Sequence, residues 1–359
     1  MNGVRLYRPR PEQLPFHLSK APRRLVRGGN RSGKTIAAAC EFASALTRIP
    51  IAQDDDKLVP FQFPKDRPII AWMIGFDERH IARMYRKLFR PGLFKIIIDR
   101  GTREWRAWKP WLPEDAAREK ETKPSPPLID PLPINKGGRF VEEWAWTKKG
   151  QRIFSVCRFK GGSEIYAFTS GGKAAQGDAV DVLWIDEDIE FEDSVQEWEA
   201  RLADNHGKLI WSAWPHSRNG AIKLMAKRAQ EQAGKQKPDV EEWVLKFSNN
   251  PYIDGDQKRI LLEGWAAKSD AEVQTRDNGS FMDGLQLVFP TYDQDYHGLP
   301  RATMHRDALD RWMEAHEYVI PDDWSRYVVV DPGTQHPAAI VAVIPPPEIG
   351  DYVIIEKEV

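Results

Sequence analysis

The chain has 359 residues, of which 41% are hydrophobic and 29% charged, with a formal net charge of -1; this length predicts two domains, or one large domain with a satellite. The charge balance excludes binding to nucleic acid through overall charge, so any such surface is local, and two cysteines, Cys40 and Cys157, exclude a disulfide scaffold and point to a reducing compartment. No apolar stretch reaches membrane-spanning length and residues 1–20 lack the apolar centre of a signal peptide, which predicts a cytoplasmic protein with no membrane partner.

An arm rich in proline and basic residues, 1–22, leads into a short strand at 24–27. Gly28-Gly29-Asn30-Arg31-Ser32-Gly33-Lys34-Thr35 follows and fits the phosphate-binding pattern G-x-x-x-x-G-K-[ST]. Glycines let the backbone turn tightly enough for several N–H groups to converge on a polyphosphate. In this pattern Lys34 supplies a charge for the terminal phosphates and Thr35 a hydroxyl for Mg²⁺. The Ala-rich run 36–46 predicts a helix whose N-terminus faces the anion, with Cys40 in its core.

Residues 68–75 read as a buried strand closed by glycine. A helix carrying Arg79, Arg83, Arg86, Lys87 and Arg90 comes next, and the proline-rich, charged 110–138 read as a surface excursion. Segments 152–159 and 164–168 predict a hairpin turned by Gly161-Gly162. Strands at 180–185 and 207–212 alternate with helices at 193–202 and 222–233, which implies a mostly parallel sheet covered on both faces. Beyond about 255 come a helix, a Gly/Asp-rich stretch, Pro290 and Pro300, read as a linker subdomain. Tyr327-Val328-Val329-Val330-Asp331 opens a new unit.

Val182-Leu183-Trp184-Ile185-Asp186-Glu187 is an apolar strand ending in two acids. At the C-terminal end of such a strand Asp186 would hold Mg²⁺. Glu187 would polarise the attacking water as a general base, which favours ATP hydrolysis over phosphoryl transfer. The bland alternative is a strand running into an acidic turn. Ser212, ending the next strand before Pro215, would either sense the terminal phosphate or merely cap the strand.

Together these segments resemble the large terminase subunit of tailed bacteriophages, the ATP-driven motor that packages DNA into a prohead. Tyr7-Arg8-Pro9-Arg10-Pro11-Glu12-Gln13-Leu14-Pro15-Phe16-His17 is similar to that family's adenine-recognising segment, in which Gln13 would read the base. Ser170-Gly171-Gly172-Lys173-Ala174-Ala175-Gln176-Gly177 resembles the small-polar stretch before the acidic strand, and Ser212-Ala213-Trp214-Pro215 the coupling motif. Asn249-Asn250-Pro251-Tyr252 resembles the Asn-Pro turn after the last ATPase strand. Gly279-Ser280-Phe281, Val288-Phe289-Pro290 and His297 resemble the bridge to a nuclease.

The resemblance implies an α/β P-loop NTPase domain of the ASCE type over 1–255, a linker or lid over 256–320, and the first part of an RNase H-like nuclease over 321–359. It implies ATP and Mg²⁺ as cofactors, with Mg²⁺ or Mn²⁺ for the nuclease. Double-stranded DNA, the portal protein, the small terminase subunit and a homo-oligomeric ring would be its partners, in the cytoplasm of an infected bacterium. Asp331 would be the first nuclease metal ligand and Glu356 a second acid; the remaining carboxylates are missing, so a truncated nuclease is expected. The cation reaching a neighbouring subunit's ATP is left among Lys173, with Gln176 nearby, Arg31 and Arg201.

The basic, aromatic-rich stretch 79–109 suits DNA backbone tracking, or equally a solvated amphipathic helix and loop. A regulatory nucleotide switch and a helicase-type ATPase remain the other functional readings.

Overall fold

The computed structural model describes residues 2–171, 179–191, 193–215, 220–281, 308–317, 319–331, 338–346, 348–349 and 354–358. They fall into two compact units, residues 1–285 and 286–359.

In the first unit, short helices α1 (Gly3–Leu6) and α2 (Leu14–Leu18) precede β1 (Arg23–Gly28) and α3 (Lys34–Thr47). Then come β2 (Ile70–Gly75), α4 (Glu78–Phe89), and an insertion holding β3 (Lys95–Ile98), β4 (Trp105–Ala107), α5 (Pro113–Ala116) and β5 (Lys123–Pro124). β6 (Val141–Lys148), β7 (Ile153–Phe159), β8 (Glu164–Thr169), β9 (Val182–Asp186), α6 (Ser194–Ala203), β10 (Lys208–Ala213), α7 (Gly220–Glu231) and β11 (Val240–Leu245) follow. Helices α8 (Gly255–Ala266) and α9 (Asp270–Asn278) complete it.

Eight strands form one sheet in the order β11-β1-β10-β9-β2-β8-β7-β6. Pairing is parallel from β11 to β8 and antiparallel at β8-β7 and β7-β6. The expected hairpin is β7-β8, where Gly161 and Gly162 both take positive φ, 88° and 84°. β10 stands between β1 and β9. With a phosphate loop after β1 and two acids closing β9, this is the layout of a P-loop NTPase of the ASCE type.

The sheet buries both faces, and successive residues in each central strand point to opposite cores. Val26, Met73, Trp184 and Ile210 pack on one side with α3 and α4. Leu25, Trp72, Leu183, Ile185 and Trp211 pack on the other with Val195, Trp198 and Leu202 of α6 and Ile222, Met225 and Ala226 of α7. Helix α4 illustrates the local logic. Asp77 caps it by accepting from His80 N at 2.7 Å, Glu78 lies in its first turn, and Arg86 and Lys87 lie in its last, all favourable to its dipole. Ile81, Met84, Tyr85, Leu88 and Phe89 form its buried stripe at helical spacing.

One buried charge cluster ties the N-terminal arm to α3. Glu41 pairs with Arg24 at 3.1 Å and with His17 at 2.7 Å, all three almost wholly inside. Burial alone would raise the Glu41 carboxyl; the Arg24 charge and the His17 contact outweigh it and bring the pKa down to about 2.

The second unit contains α10 (Ala308–Ala315), β12 (Ser325–Asp331), β13 (Ala338–Ile344) and β14 (Ile354–Glu358). The strands make an antiparallel sheet in chain order, over a small core that includes Leu309, Met313, Trp324 and Val343.

Candidate functional site: a phosphate loop facing two acids

The parallel register brings the carboxyl ends of β1, β10, β9 and β2 to one edge, where Ser212 pairs with Asp186 and Gly75 with Asp186. Open α/β sheets place ligands at this edge.

The loop between β1 and α3 is set by close approach. A Cβ on Gly29 would lie 1.6 Å from the carbonyl oxygen of Arg276, because the end of α9 packs on the loop. Gly29 N donates to Asp277 O at 3.3 Å, and the Asp277 carboxylate accepts from Ser248 N and Oγ beyond β11. Helix α9, expected in the linker, thus backs the phosphate loop. Gly33, at φ 98°, caps α3 in the left-handed region. Arg31 is exposed and also has positive φ, 62°. Asn30 is exposed and Ser32 buried. Asn250 of the expected Asn-Pro turn donates to Arg31 O at 2.6 Å.

Asp186 is the focus. Its Oδ1 accepts from Thr35 Oγ1 at 3.0 Å and from Ser212 Oγ at 2.5 Å, and its Oδ2 lies 3.0 Å from His80 Nε2. Burial raises this carboxyl, but contact with His80, then Ser212 and the Lys34 charge, reverse the effect and hold it below the usual range. A carboxylate kept ionised beside a threonine hydroxyl suits Mg²⁺, which takes one or two protein oxygens and completes its shell with phosphates and water. Among the described residues no group of three or more His, Cys, Asp or Glu side chains forms a ready cation cage.

Glu187 sits beside this centre with φ at 63°, a left-handed conformation that costs a non-glycine residue energy. Its Oε1 is 3.0 Å from Lys34 Nζ, and its Oε2 accepts from Trp214 N at 2.8 Å. Trp211 Nε1 donates to its carbonyl at 2.8 Å, which fixes the turn.

Ser212 is fully buried, and its hydroxyl serves Asp186 and accepts from Trp184 Nε1 at 3.0 Å. Its contact with the site runs through the Asp186 carboxylate. Gln13 is likewise buried: its Nε2 donates to Gly33 O at 3.0 Å and its Oε1 accepts from Arg10 N at 3.0 Å. Arg201 is taken by Glu197 on its own helix. Lys173, Gln176, residues 288–290 and His297 lie outside the described residues. Asp331 ends β12 and Glu356 lies within β14, on opposite edges of β13.

Two participants were not anticipated. His80 reaches Asp186 only because β2 lies next to β9, a strand order that no local pattern reveals. Arg10 is 4% exposed, and its guanidinium donates to Ser32 O and, at 3.1 Å, to Asn249 O, bracing the loop from behind. Burial lowers its pKa, but an arginine remains charged.

No protein-family model matches the sequence, and no curated protein matches it. Among solved structures the chain is similar to the ATPase domain of the Thermus phage P74-26 large terminase, at 15% identity and a TM-score of 0.44, covering 77% of this chain and 94% of that one. A mutant of the same domain gives 16% identity and 0.44, covering 77% and 95%. The HK97 bacteriophage large terminase gives 10% identity and 0.45, covering 95% of this chain and 61% of that chain.

Proposed function

We propose that this chain hydrolyses Mg²⁺-ATP and uses the energy to move double-stranded DNA, as the motor of a terminase. The observation that carries the ATPase reading is the convergence on Asp186: the phosphate-loop hydroxyl of Thr35 on one side, Ser212 on another, and Glu187 next in sequence. Backbone N–H groups of 29–35 and the N-terminus of α3 would take the phosphates, with Lys34 turned toward the terminal one. Thr35 and Asp186 would hold Mg²⁺, which neutralises charge developing on the phosphates. Glu187 would accept a proton from the attacking water.

The terminase reading rests on the order of motifs from Gln13 to Asp331. It carries with it the portal, small-subunit and ring partners, a trans-acting cation (Lys173 or Arg31, since Arg201 is engaged), and a nuclease in the second unit. Asp331 and Glu356 would supply carboxylates there for Mg²⁺ or Mn²⁺.

The DNA surface narrows to α4. Arg79, Arg83 and Arg86 are exposed at spacings of four and three, one helical face, and Arg90, exposed and extended, follows directly at the helix end. Among the described residues none of the four has a carboxylate at ion-pair distance. By contrast, Lys95, Arg106 and Lys109 pair with Glu119, Asp115 and Asp54. Of the aromatics in that stretch, Tyr85 and Phe89 are buried in the core, Trp108 is buried against the insertion, and Phe94 and Trp105 are half-buried. An exposed row of unpaired guanidinium groups suits phosphate contacts without base readout.

Steady-state phosphate release, with and without linear duplex DNA, tests the reading. Mg²⁺-dependent turnover that DNA stimulates and Lys34→Ala abolishes is expected. Turnover indifferent to DNA would favour the regulatory switch, and strand separation in an unwinding assay the helicase.

A further inference from the structure

A cavity of about 240 Å³ opens beside the phosphate loop, and its lining includes Gly33 and Ile36 of the loop and α3, Tyr7 and Gln13 of the arm, and Phe94 and Trp108 of the β3-β4-β5 insertion. Only its continuity with the loop identifies its occupant: the part of a nucleotide left over once the phosphates are bound. Gln13 brings little free hydrogen-bonding capacity to it. Its amide already engages Gly33 O and Arg10 N, and its Oε1 lies 3.3 Å from Tyr7 Oη. What lines the cavity instead is largely aromatic, with Tyr7, Phe94, Trp108 and Tyr252 around it.

That surface is held rigid. Trp108 Nε1 donates to Asp115 O at 2.8 Å, and its own carbonyl accepts from Tyr252 Oη at 3.3 Å. Asp115 is wholly buried; Arg106 forks onto both its carboxylate oxygens at 2.6 and 2.8 Å, and Lys109 N adds a third bond at 2.9 Å. The Lys95 ammonium stands 4.9 Å from the indole centroid. A buried ion pair is a poor source of stability, but it fixes geometry. A ring already fixed loses little freedom on binding, so a stacked contact on it is efficient. Every base has a π-face, so stacking does not need a hydrogen-bond code.

We propose that the β3-β4-β5 insertion is the nucleoside wall of the nucleotide site, with Trp108 contacting the base and Asp115 positioning Trp108; this rests on the ATPase reading above. Inorganic tripolyphosphate has the phosphates of ATP and no nucleoside, so it separates the wall from the loop. Calorimetric titration of the full chain in Mg²⁺ with each ligand is the test, on wild type, Trp108→Leu, Trp108→Phe and Asp115→Asn. Trp108→Leu should weaken ATP roughly tenfold or more and leave tripolyphosphate within about twofold. Trp108→Phe, which keeps a ring, should retain most ATP affinity, and Asp115→Asn should lose ATP selectively but less than Trp108→Leu. Equal weakening of both ligands, or unchanged ATP affinity in Trp108→Leu, would overturn the wall while leaving the ATPase intact. If Trp108→Leu does not fold, Trp108→Phe and Asp115→Asn decide: the wall stands on selective ATP loss in Asp115→Asn and falls without it. A wild-type chain that binds neither ligand would overturn the ATPase reading and this inference together.

Discussion

Lys34 and Glu187 hold each other across the phosphate loop, Nζ to Oε1 at 3.0 Å, with the lysine 4% exposed. The lysine has three N–H donors, but a bound terminal phosphate would compete with this carboxylate for its charge, so nucleotide binding would loosen the pair and free Glu187 toward water. Glu187→Gln removes the competing charge. ATP affinity should rise roughly fivefold, matching about 1 kcal/mol for a partly exposed pair. Equilibrium binding of a fluorescent ATP analogue reads this directly; weaker binding would mean that Glu187 helps hold the nucleotide.

Gly29 has no room for a methyl group. Gly29→Ala would force the Arg276 carbonyl and the end of α9 away from the loop. A stability loss of at least about 1–3 kcal/mol is expected, with impaired ATP binding. Thermal unfolding together with ATP titration checks both; a variant matching wild type in both would show that α9 does not back the loop.

Glu41 gives the fold an acid-sensitive joint. Its folded pKa of about 2 lies below its ordinary 4.5, so the folded state stabilises the ionised form. The stabilisation is fully present above about pH 4.5 and is lost as pH falls toward 2; it is on the order of 3 kcal/mol. Glu41→Gln should therefore lower stability at pH 7 by about 3–5 kcal/mol, leaving Arg24 buried without its carboxylate. Urea unfolding at a series of pH values should show the gap to wild type closing below pH 4.5. A gap that stays constant down to pH 2.5 would contradict the assignment.

Reversing charge at Arg83 and Arg86 addresses the α4 row without touching its buried face. DNA-stimulated turnover should fall several-fold, and the salt dependence of DNA binding should flatten, because fewer counterions are displaced. Basal turnover should not change. Stimulation equal to wild type would move the DNA surface elsewhere.

The sequence alone exposed the elements that are apolar on both faces. β2, β9 and β10 sit inside a parallel sheet and read as largely apolar runs, while β1, with Arg23, Arg24 and Arg27, shows only Leu25 and Val26 before the glycines. β6 and β11 did not stand out because they form the two sheet edges and carry charge: Glu242 of β11 pairs with Arg27, and Glu143 of β6 with Arg158. Within the site, the loop, Asp186 and Glu187 were legible because phosphate and metal chemistry demand particular residues at fixed spacing. His80 and Arg10 were not, since each reaches Asp186 or the loop through packing between segments distant in sequence. The contact of α9 with the loop was not legible either, because it runs through the backbone of Arg276, Asp277 and Gly279 rather than through a residue pattern.

The central claim is that Glu187 works on water at a loop that binds ATP. Single-turnover phosphate release under saturating Mg²⁺-ATP, compared between wild type and Glu187→Gln, tests it most directly. The variant should bind ATP at least as well as wild type and release phosphate at least about 100-fold more slowly. Hydrolysis at the wild-type rate by Glu187→Gln would contradict the account.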